Sequence, residues 1–243
     1  MGAHRGRRSV RMGESLTPQP LPAATIALVR DHKETLEVFL VRRHARSGFM
    51  ANAYVFPGGR LDEADHSPAL QERLGGDCAG QIALMEGVRD PAHARAHIVA
   101  ALRETYEEAG VLLATRSDGE PLVPDKRWQR ELNEGGRSFE SLICGEGLSL
   151  DTSSLAYFAH WVTPEFESRR YAARFFLALA PREQEGSHDG HETTDSIWLE
   201  PSEALRLHAL GELFLAPPQW QVLHELAACS SAIGLLDWAR SLE

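Results

Sequence analysis

Cysteine, long apolar runs and positive charge are all scarce in this sequence, and each shortage removes a class of protein. The three cysteines, Cys78, Cys144 and Cys229, are widely scattered and odd in number. That excludes a disulfide framework and a cysteine-rich zinc site, and it suits reduced thiols in the cytoplasm. No apolar stretch approaches the roughly 20 residues that a spanning helix needs. The N-terminus carries charge without the apolar segment of a secretory signal, so no membrane association is expected. Basic residues are outnumbered, with 25 Lys+Arg against 35 Asp+Glu and a formal net charge of −10. Nonspecific nucleic-acid binding draws on counterion release at a basic surface, so no nucleic-acid partner is expected. An anionic small molecule remains compatible with an acidic chain if metal ions neutralise both locally. Internal repeats and long linkers are missing as well.

What is present suits a globular fold: 43% hydrophobic and 25% charged residues in a chain of 243, enough to bury a sizeable core. Residues 1–20 differ. Arg5, Arg7, Arg8 and Arg11 all precede the first acidic residue, Glu14, which reads as a disordered basic tail. Residues 21–243 read as one domain. Alternating β-rich segments occupy residues 25–29 and 37–43 around a polar turn, and residues 54–56 form a short strand stopped by Pro57-Gly58-Gly59. Ser67-Pro68 opens a short helix that Gly75-Gly76 closes, and a small-residue loop follows. Residues 111–114 read as extended. Residues 115–150 form a helical insertion (125–134 and 138–144). Strand patterns return at 155–162, 173–179 and 194–199, and two helices, 202–210 and 218–228, finish the chain. Strands and helices mix without a βαβ rhythm, which predicts an α/β sandwich.

The best-defined element is a helix from Pro91 to Ala109. Asp90 is a good N-cap, Pro91 suits the first helical position, and Gly110 suits the position just past the end. At 100° per residue, Ile98, Ala101, Leu102, Thr105 and Ala109 gather on one face, while Glu104, Glu107 and Glu108 crowd another. Like charges at these spacings repel by a few tenths of a kcal/mol per pair. Hard divalent cations relieve that repulsion, since Mg²⁺ and Mn²⁺ prefer carboxylate oxygens. A solvated acidic face has the same composition, so the carboxylates alone leave both readings open. The eleven histidines show no ligand spacing, and His93 with His97 lacks a third partner.

Arg103-Glu104-Thr105-Tyr106-Glu107-Glu108-Ala109-Gly110-Val111 resembles the second half of the Nudix box, REUxEExGU, with Thr105 in place of an apolar residue. The first half, Gx5E, is similar to Gly59 followed by Asp65, with aspartate in place of glutamate and an insertion over residues 66–90. Beyond the box, three blocks are similar to the peroxisomal coenzyme A diphosphatase branch of the family and its bacterial relatives. They are Arg42-Arg43 with Val55-Phe56-Pro57-Gly58-Gly59-Arg60-Leu61-Asp62, then His160-Trp161-Val162-Thr163-Pro164, and finally Leu215-Ala216-Pro217-Pro218-Gln219-Trp220. The separate CoA motif of other Nudix CoA hydrolases is not met, since Gly48 and Asn52 stand where it has Arg and Gly.

The resemblance implies a Nudix-type α/β/α sandwich with a mixed sheet and helical insertions. It implies Mg²⁺ or Mn²⁺ held by Glu104, Glu107 and Glu108 with the Gly59 carbonyl, and cleavage of the diphosphate in CoA or acyl-CoA. Glu107 and Glu108 are then catalytic, and Arg103 organises the site by pairing with Glu107 or Asp65. Glu192, or else Asp195, supplies a general base from the polar loop before Trp198. Arg169, Arg170 and Arg174 are candidates for the phosphates, because guanidinium forks suit them. Strand alternation prevents all three from facing one cleft. The insertion 66–90 is expected as a loop with a short helix near the cleft, acting on specificity. Two other functions stay open: a Nudix hydrolase of another nucleoside diphosphate derivative such as NADH or ADP-ribose, and a Nudix-fold binding module without catalysis. A homodimer stays open too.

Overall fold

The computed structural model describes residues 18–48, 50–76, 78–117 and 122–242. Most of the basic tail therefore lies outside the described residues. The chain opens with a hairpin of β1 (Leu21–His32) and β2 (Thr35–Arg43), in which Val29 faces Val38. Its turn residues Lys33 and Glu34 take left-handed backbone, φ 48° and 67°, the twist that a two-residue hairpin needs. Two short strands follow: β3 (Tyr54–Val55) on β2 and β4 (Gly58–Arg60) on β1.

The first insertion holds a 3₁₀ turn (Glu63–His66), α1 (Pro68–Gln71), β5 (Leu74–Gly75) and α2 (Ala79–Leu84), and leads into α3 (Pro91–Ala109). Next come β6 (Ala114–Thr115), α4 (Lys126–Asn133), α5 (Phe139–Gly145) and β7 (Ser149–Asp151). The remaining elements are β8 (Leu155–Val162), β9 (Tyr171–Leu179), β10 (Thr193–Leu199), α6 (Pro201–Ala209), α7 (Pro217–Leu226) and α8 (Ala232–Arg240).

The main sheet runs β10-β2-β1-β9-β8, with β1 and β9 parallel and the other neighbours antiparallel. Strand β1 is buried on both sides, so residues 26–29 are apolar throughout and not alternating as expected. Ile26 and Leu28 pack with Ile98, Leu102 and Tyr106 of α3. Ala27 and Val29 pack on the other side, with Ala204 of α6, Leu223 of α7 and Leu235 of α8. The result is the expected α/β/α sandwich on a mixed sheet. Among the described residues, no helix is long and apolar enough to cross a membrane.

Three expectations need correction. A third C-terminal helix, α8, follows the expected two. Ser231 caps it by accepting from Gly234 N, and Leu235, Leu236 and Ala239 are buried. That apolar spacing after a serine was available in the sequence. The loop after Gly75-Gly76 contains α2, and of residues 111–114 only Ala114 enters a strand. The two insertions also join: β5 runs parallel to β7, which pairs with β6 in a small second sheet. Cover from these segments leaves α3 buried nearly all round.

Candidate active site

Where β4 meets α3, two glycines bring backbone against carboxylates. Thr25 Oγ1 donates to Pro57 O at 2.7 Å and fixes the turn into β4. A Cβ added at Gly58 would lie 2.5 Å from Ala24 O, so only glycine fits beside β1. One added at Gly59 would lie 2.4 Å from Glu104 Oε1. The Gly58 amide donates to Glu108 Oε2 at 2.9 Å. The helix behaves as its sequence requires: Asp90 accepts from His93 N, and Gly110 ends it with φ 68°. Thr105, the polar substitute in the box, is buried with its hydroxyl donated to Ala101 O at 2.8 Å, so it adds no unsatisfied group to the core.

Arg103 joins the two halves of the box. Its Nε and NH2 contact both oxygens of fully buried Asp65 at 2.8 and 2.9 Å, and its NH1 reaches Glu104 at 2.9 Å and Glu107 at 2.7 Å. It thus pairs with Glu107 and Asp65 together. The shorter Asp65 suffices because the 3₁₀ turn brings its carboxylate into the helix face, where Asp62 N also donates to it. Burial opposes the guanidinium charge, but Asp65, Glu104 and Glu107 outweigh it and raise the Arg103 pKa.

One guanidinium does not neutralise this many carboxylates. Burial pushes Glu104 up to about 7, with Glu107 and Glu192 adding repulsion against the pull of Arg103. Burial also raises Glu107 despite Arg103. Glu108 is driven well above the usual range, first by burial and then by Glu104. A largely buried set of oxygen donors short of positive charge suits a hard divalent cation. Among the described residues, no three acidic, histidine or cysteine side chains already converge as a ligand set. Glu104 and Glu107 share Arg103 NH1, and Glu108 turns to the Gly58 amide.

These carboxylates line a cavity of about 680 Å³ that also takes in Gly59 and Glu192. Glu192 lies close enough to raise both Glu104 and Glu108. Its loop is built on Asp189, which accepts from the amides of Glu192 and Thr193 and from Thr193 Oγ1. Burial would raise Asp189, yet those hydrogen bonds lower it. Asp195, the other candidate base, is outside the lining and accepts from Tyr54 OH at 2.6 Å. Burial and that contact push the Tyr54 pKa up to about 12.

The three candidate phosphate arginines lie outside the cavity lining. Arg169 is exposed over Gly48, and Arg170 is spent on the carbonyls of Thr163 and Pro18. Arg174 is buried against α3, where it contacts His97. Sequence reasoning passed over Arg43, which does line the cavity and lowers Glu108 through its charge. Its Nε and NH2 donate to a neutral group, Ser47 Oγ. The available signal was the Arg42-Arg43 block that carries the family resemblance; its place beside Glu192 comes only from the pairing of Arg43 with Thr193. Among the described residues of 66–90 none lines the cavity, contrary to expectation, whereas the second insertion supplies Leu132 and Asn133. Trp161, Phe166, Pro217 and Pro218 bring apolar surface to the lining, alongside Thr163, Glu167 and Gln219.

Comparison with known proteins bears on the family and the fold. The family model of the NUDT19 Nudix domain matches residues 92–226, more than half of the chain, and the chain belongs to that family. It is 30% identical over 234 residues to acyl-coenzyme A diphosphatase NUDT19 of Gallus gallus, covering 80% of this chain and 62% of that protein. The Homo sapiens protein of the same name is 27% identical over 240 residues, covering 82% and 62%. The chain therefore spans about three-fifths of the length of these curated relatives. Among solved structures, a Nudix hydrolase from Alicyclobacillus acidocaldarius superposes with a TM-score of 0.78 at 29% identity, covering 92% of this chain and 97% of that one.

Proposed function

We propose that this protein is a divalent-metal-dependent hydrolase of a diphosphate linkage, acting on CoA or acyl-CoA. The observation that carries the reading is the carboxylate set on α3, Glu108 buried and Glu104 and Glu107 partly so, raised in pKa, undersupplied with positive charge and lining an open cavity. Glu104, Glu107 and Glu108, with the Gly59 carbonyl, would hold Mg²⁺ or Mn²⁺. Bound there, the metal supplies positive charge to phosphate oxygens and acidifies water. A pure binding module has no need of a self-repelling cluster beside bound phosphate. The curated relatives' name supplies the substrate, and the mixed polar and apolar lining of the cavity is compatible with a substrate that carries both phosphates and a less polar arm.

In this reading water adds to one phosphorus, the bond from that phosphorus to the bridging oxygen breaks, and Glu192 takes the proton. Arg43 is the phosphate contact: it lines the cavity and is held by a hydroxyl, so its charge is not already cancelled by a carboxylate. Arg169 and Arg170 act, if at all, on parts of a substrate beyond the cavity. The partner is a small molecule, in a cytoplasmic setting that suits three unpaired, half-buried cysteines. A homodimer is compatible with this reading and not required by it.

The test is an assay of purified protein with Mg²⁺ or Mn²⁺ against CoA, an acyl-CoA, NADH and ADP-ribose, with products identified by mass. Expected products from CoA are 3′,5′-ADP and 4′-phosphopantetheine. Faster turnover of NADH or ADP-ribose would move the substrate to another nucleoside diphosphate derivative, and no turnover of any would leave a binding module. Arg43→Ala should lower kcat/KM by about one to two decades, the value of a lost charge-assisted contact. Arg169→Ala should leave it within about threefold, since exposed contacts are worth little.

A further inference from the structure

Arg174 is the buried charge that this chemistry does not use. It is 3% exposed and forms no ion pair among the described residues. NH1 lies 3.0 Å from His97 Nε2, NH2 donates to Glu86 O at 2.7 Å, and Nε has no partner. A guanidinium only donates, so His97 Nε2 must accept. The ring is then neutral with its proton on Nδ1, which donates to His93 O at 2.9 Å. Burial first, and the Arg174 charge with it, hold His97 down to about 3 against the pull of that carbonyl. Donor and acceptor therefore keep their states throughout the working pH range.

Two rows of residues meet around this contact. On the sheet, Arg174 of β9 lies opposite Ala24 of β1, and Ala24 lies opposite Gly59 of β4. Opposed residues share a face, so Arg174 and Gly59 belong to one row, two strand spacings or about 10 Å apart. On α3, His97, Glu104 and Glu108 fall within about 20° of one line, and His97 to Glu104 spans about 10 Å along the axis. His97 thus sits over Arg174 at one end of the row. At the other, Glu104 sits over Gly59, where an added Cβ would strike its carboxylate, and Glu108 accepts from Gly58 N. A slip of one residue would turn the helix by about 100° and lose every one of these contacts.

We propose that the Arg174–His97 pair is a positioning device that sets the rotation and axial register of α3 over the sheet, and so places Glu104 and Glu108 at Gly58-Gly59. The second Arg174 bond, to Glu86 O, ties down the segment that leads to the N-cap Asp90. Apolar contacts are non-directional and tolerate sliding, whereas hydrogen bonds to two acceptors fix both angle and height. Arg174 and His97 touch neither metal nor substrate in this scheme. The inference rests on the reading of Glu104 and Glu108 as metal-binding carboxylates.

Mn²⁺ titration of the full chain, followed by the paramagnetic resonance of free Mn²⁺, tests it alongside thermal melts and steady-state kinetics. Arg174→Met and His97→Leu are expected to melt within about 5 °C of wild type yet bind Mn²⁺ about tenfold or more weakly, the range found when groups that orient metal ligands are removed. Their kcat should fall by a similar factor with KM little changed. His97→Gln, which can accept from Arg174 and donate to His93 O, should recover most of both. Should Met or Leu prevent folding, Arg174→Lys serves, because it keeps one donor and loses the fork; about tenfold weaker Mn²⁺ binding is expected. Wild-type Mn²⁺ affinity in the folded variants would overturn the positioning role alone. Wild-type protein that binds no Mn²⁺ would overturn the metal reading, and this inference with it.

Discussion

Arg103, on α3, and Arg174, packed against it, are both buried, at 7% and 3% exposure, and their surroundings treat the charge in opposite ways. Arg103 meets Asp65, Glu104 and Glu107 at 2.7 to 2.9 Å. Arg174 meets a neutral imidazole and a backbone carbonyl. Around Arg103 the negative charge exceeds what one guanidinium cancels, so the neighbourhood attracts a further cation. Around Arg174 there is no surplus to attract one, and the residue acts through hydrogen-bond direction. Burial alone therefore says little about a charged residue's role. The sign of what remains uncancelled around it says more.

The largest effect should come from the surplus itself. Glu107→Gln and Glu108→Gln are expected to lower kcat on the order of a hundredfold or more, since each removes metal-supplied stabilisation worth several kcal/mol. Metal-free melting should hold level or rise, because repulsion is relieved. Near wild-type turnover at saturating Mg²⁺ in either variant would remove the metal assignment and, with it, one side of the contrast.

Stability should separate the two arginines. Arg103→Met leaves buried carboxylates without their cation and should cost about 3–5 kcal/mol in urea unfolding, partly restored by divalent metal. Arg174→Met removes a buried charge without a counter-ion but leaves His97 Nε2 and Glu86 O without their donor, so the two effects partly offset and the cost should be about 1 kcal/mol. Equal losses at both positions would break the comparison.

A smaller effect sharpens it through pH. Glu104 has an ordinary value of 4.5 and is raised to about 7 in the fold. A raised carboxyl contributes stability that is fully present below its unfolded pKa and lost as pH rises through the folded one. Metal-free protein should therefore lose melting temperature between about pH 4.5 and 7, by a few degrees. Added Mn²⁺ should flatten the upper part of that slope. A metal-free profile that rises across this window would contradict the surplus.

Much of this was legible in the sequence wherever the controlling interactions are local. Asp90, Pro91 and Gly110 bound α3 because caps act within one turn, and the box spacing set which carboxylates share a face. Sequence reasoning named Asp65 as an Arg103 partner through the family pattern, although the long insertion hides the pairing from any local rule. It placed Arg174 in a strand as one of three candidates without fixing its face, because alternation fixes relative sides and leaves the absolute side to neighbours. Arg43 was passed over for a related reason: only the pairing of β2 with β10 brings it beside Glu192.

The amino-acid sequence by itself determined the carboxylate-bearing helix α3, its carboxylate spacing, the glycine pair and the fold class, since each depends on residue type and on periods of 2 or 3.6 that act over a few residues. The tertiary structure alone decided which arginine faces the cavity, which insertion reaches it, and how α3 is registered over the sheet. Those outcomes depend on contacts between distant segments, Arg174 with His97 and Gly58 with Glu108 among them. Such contacts exist only once packing has chosen one strand order and one face for each strand.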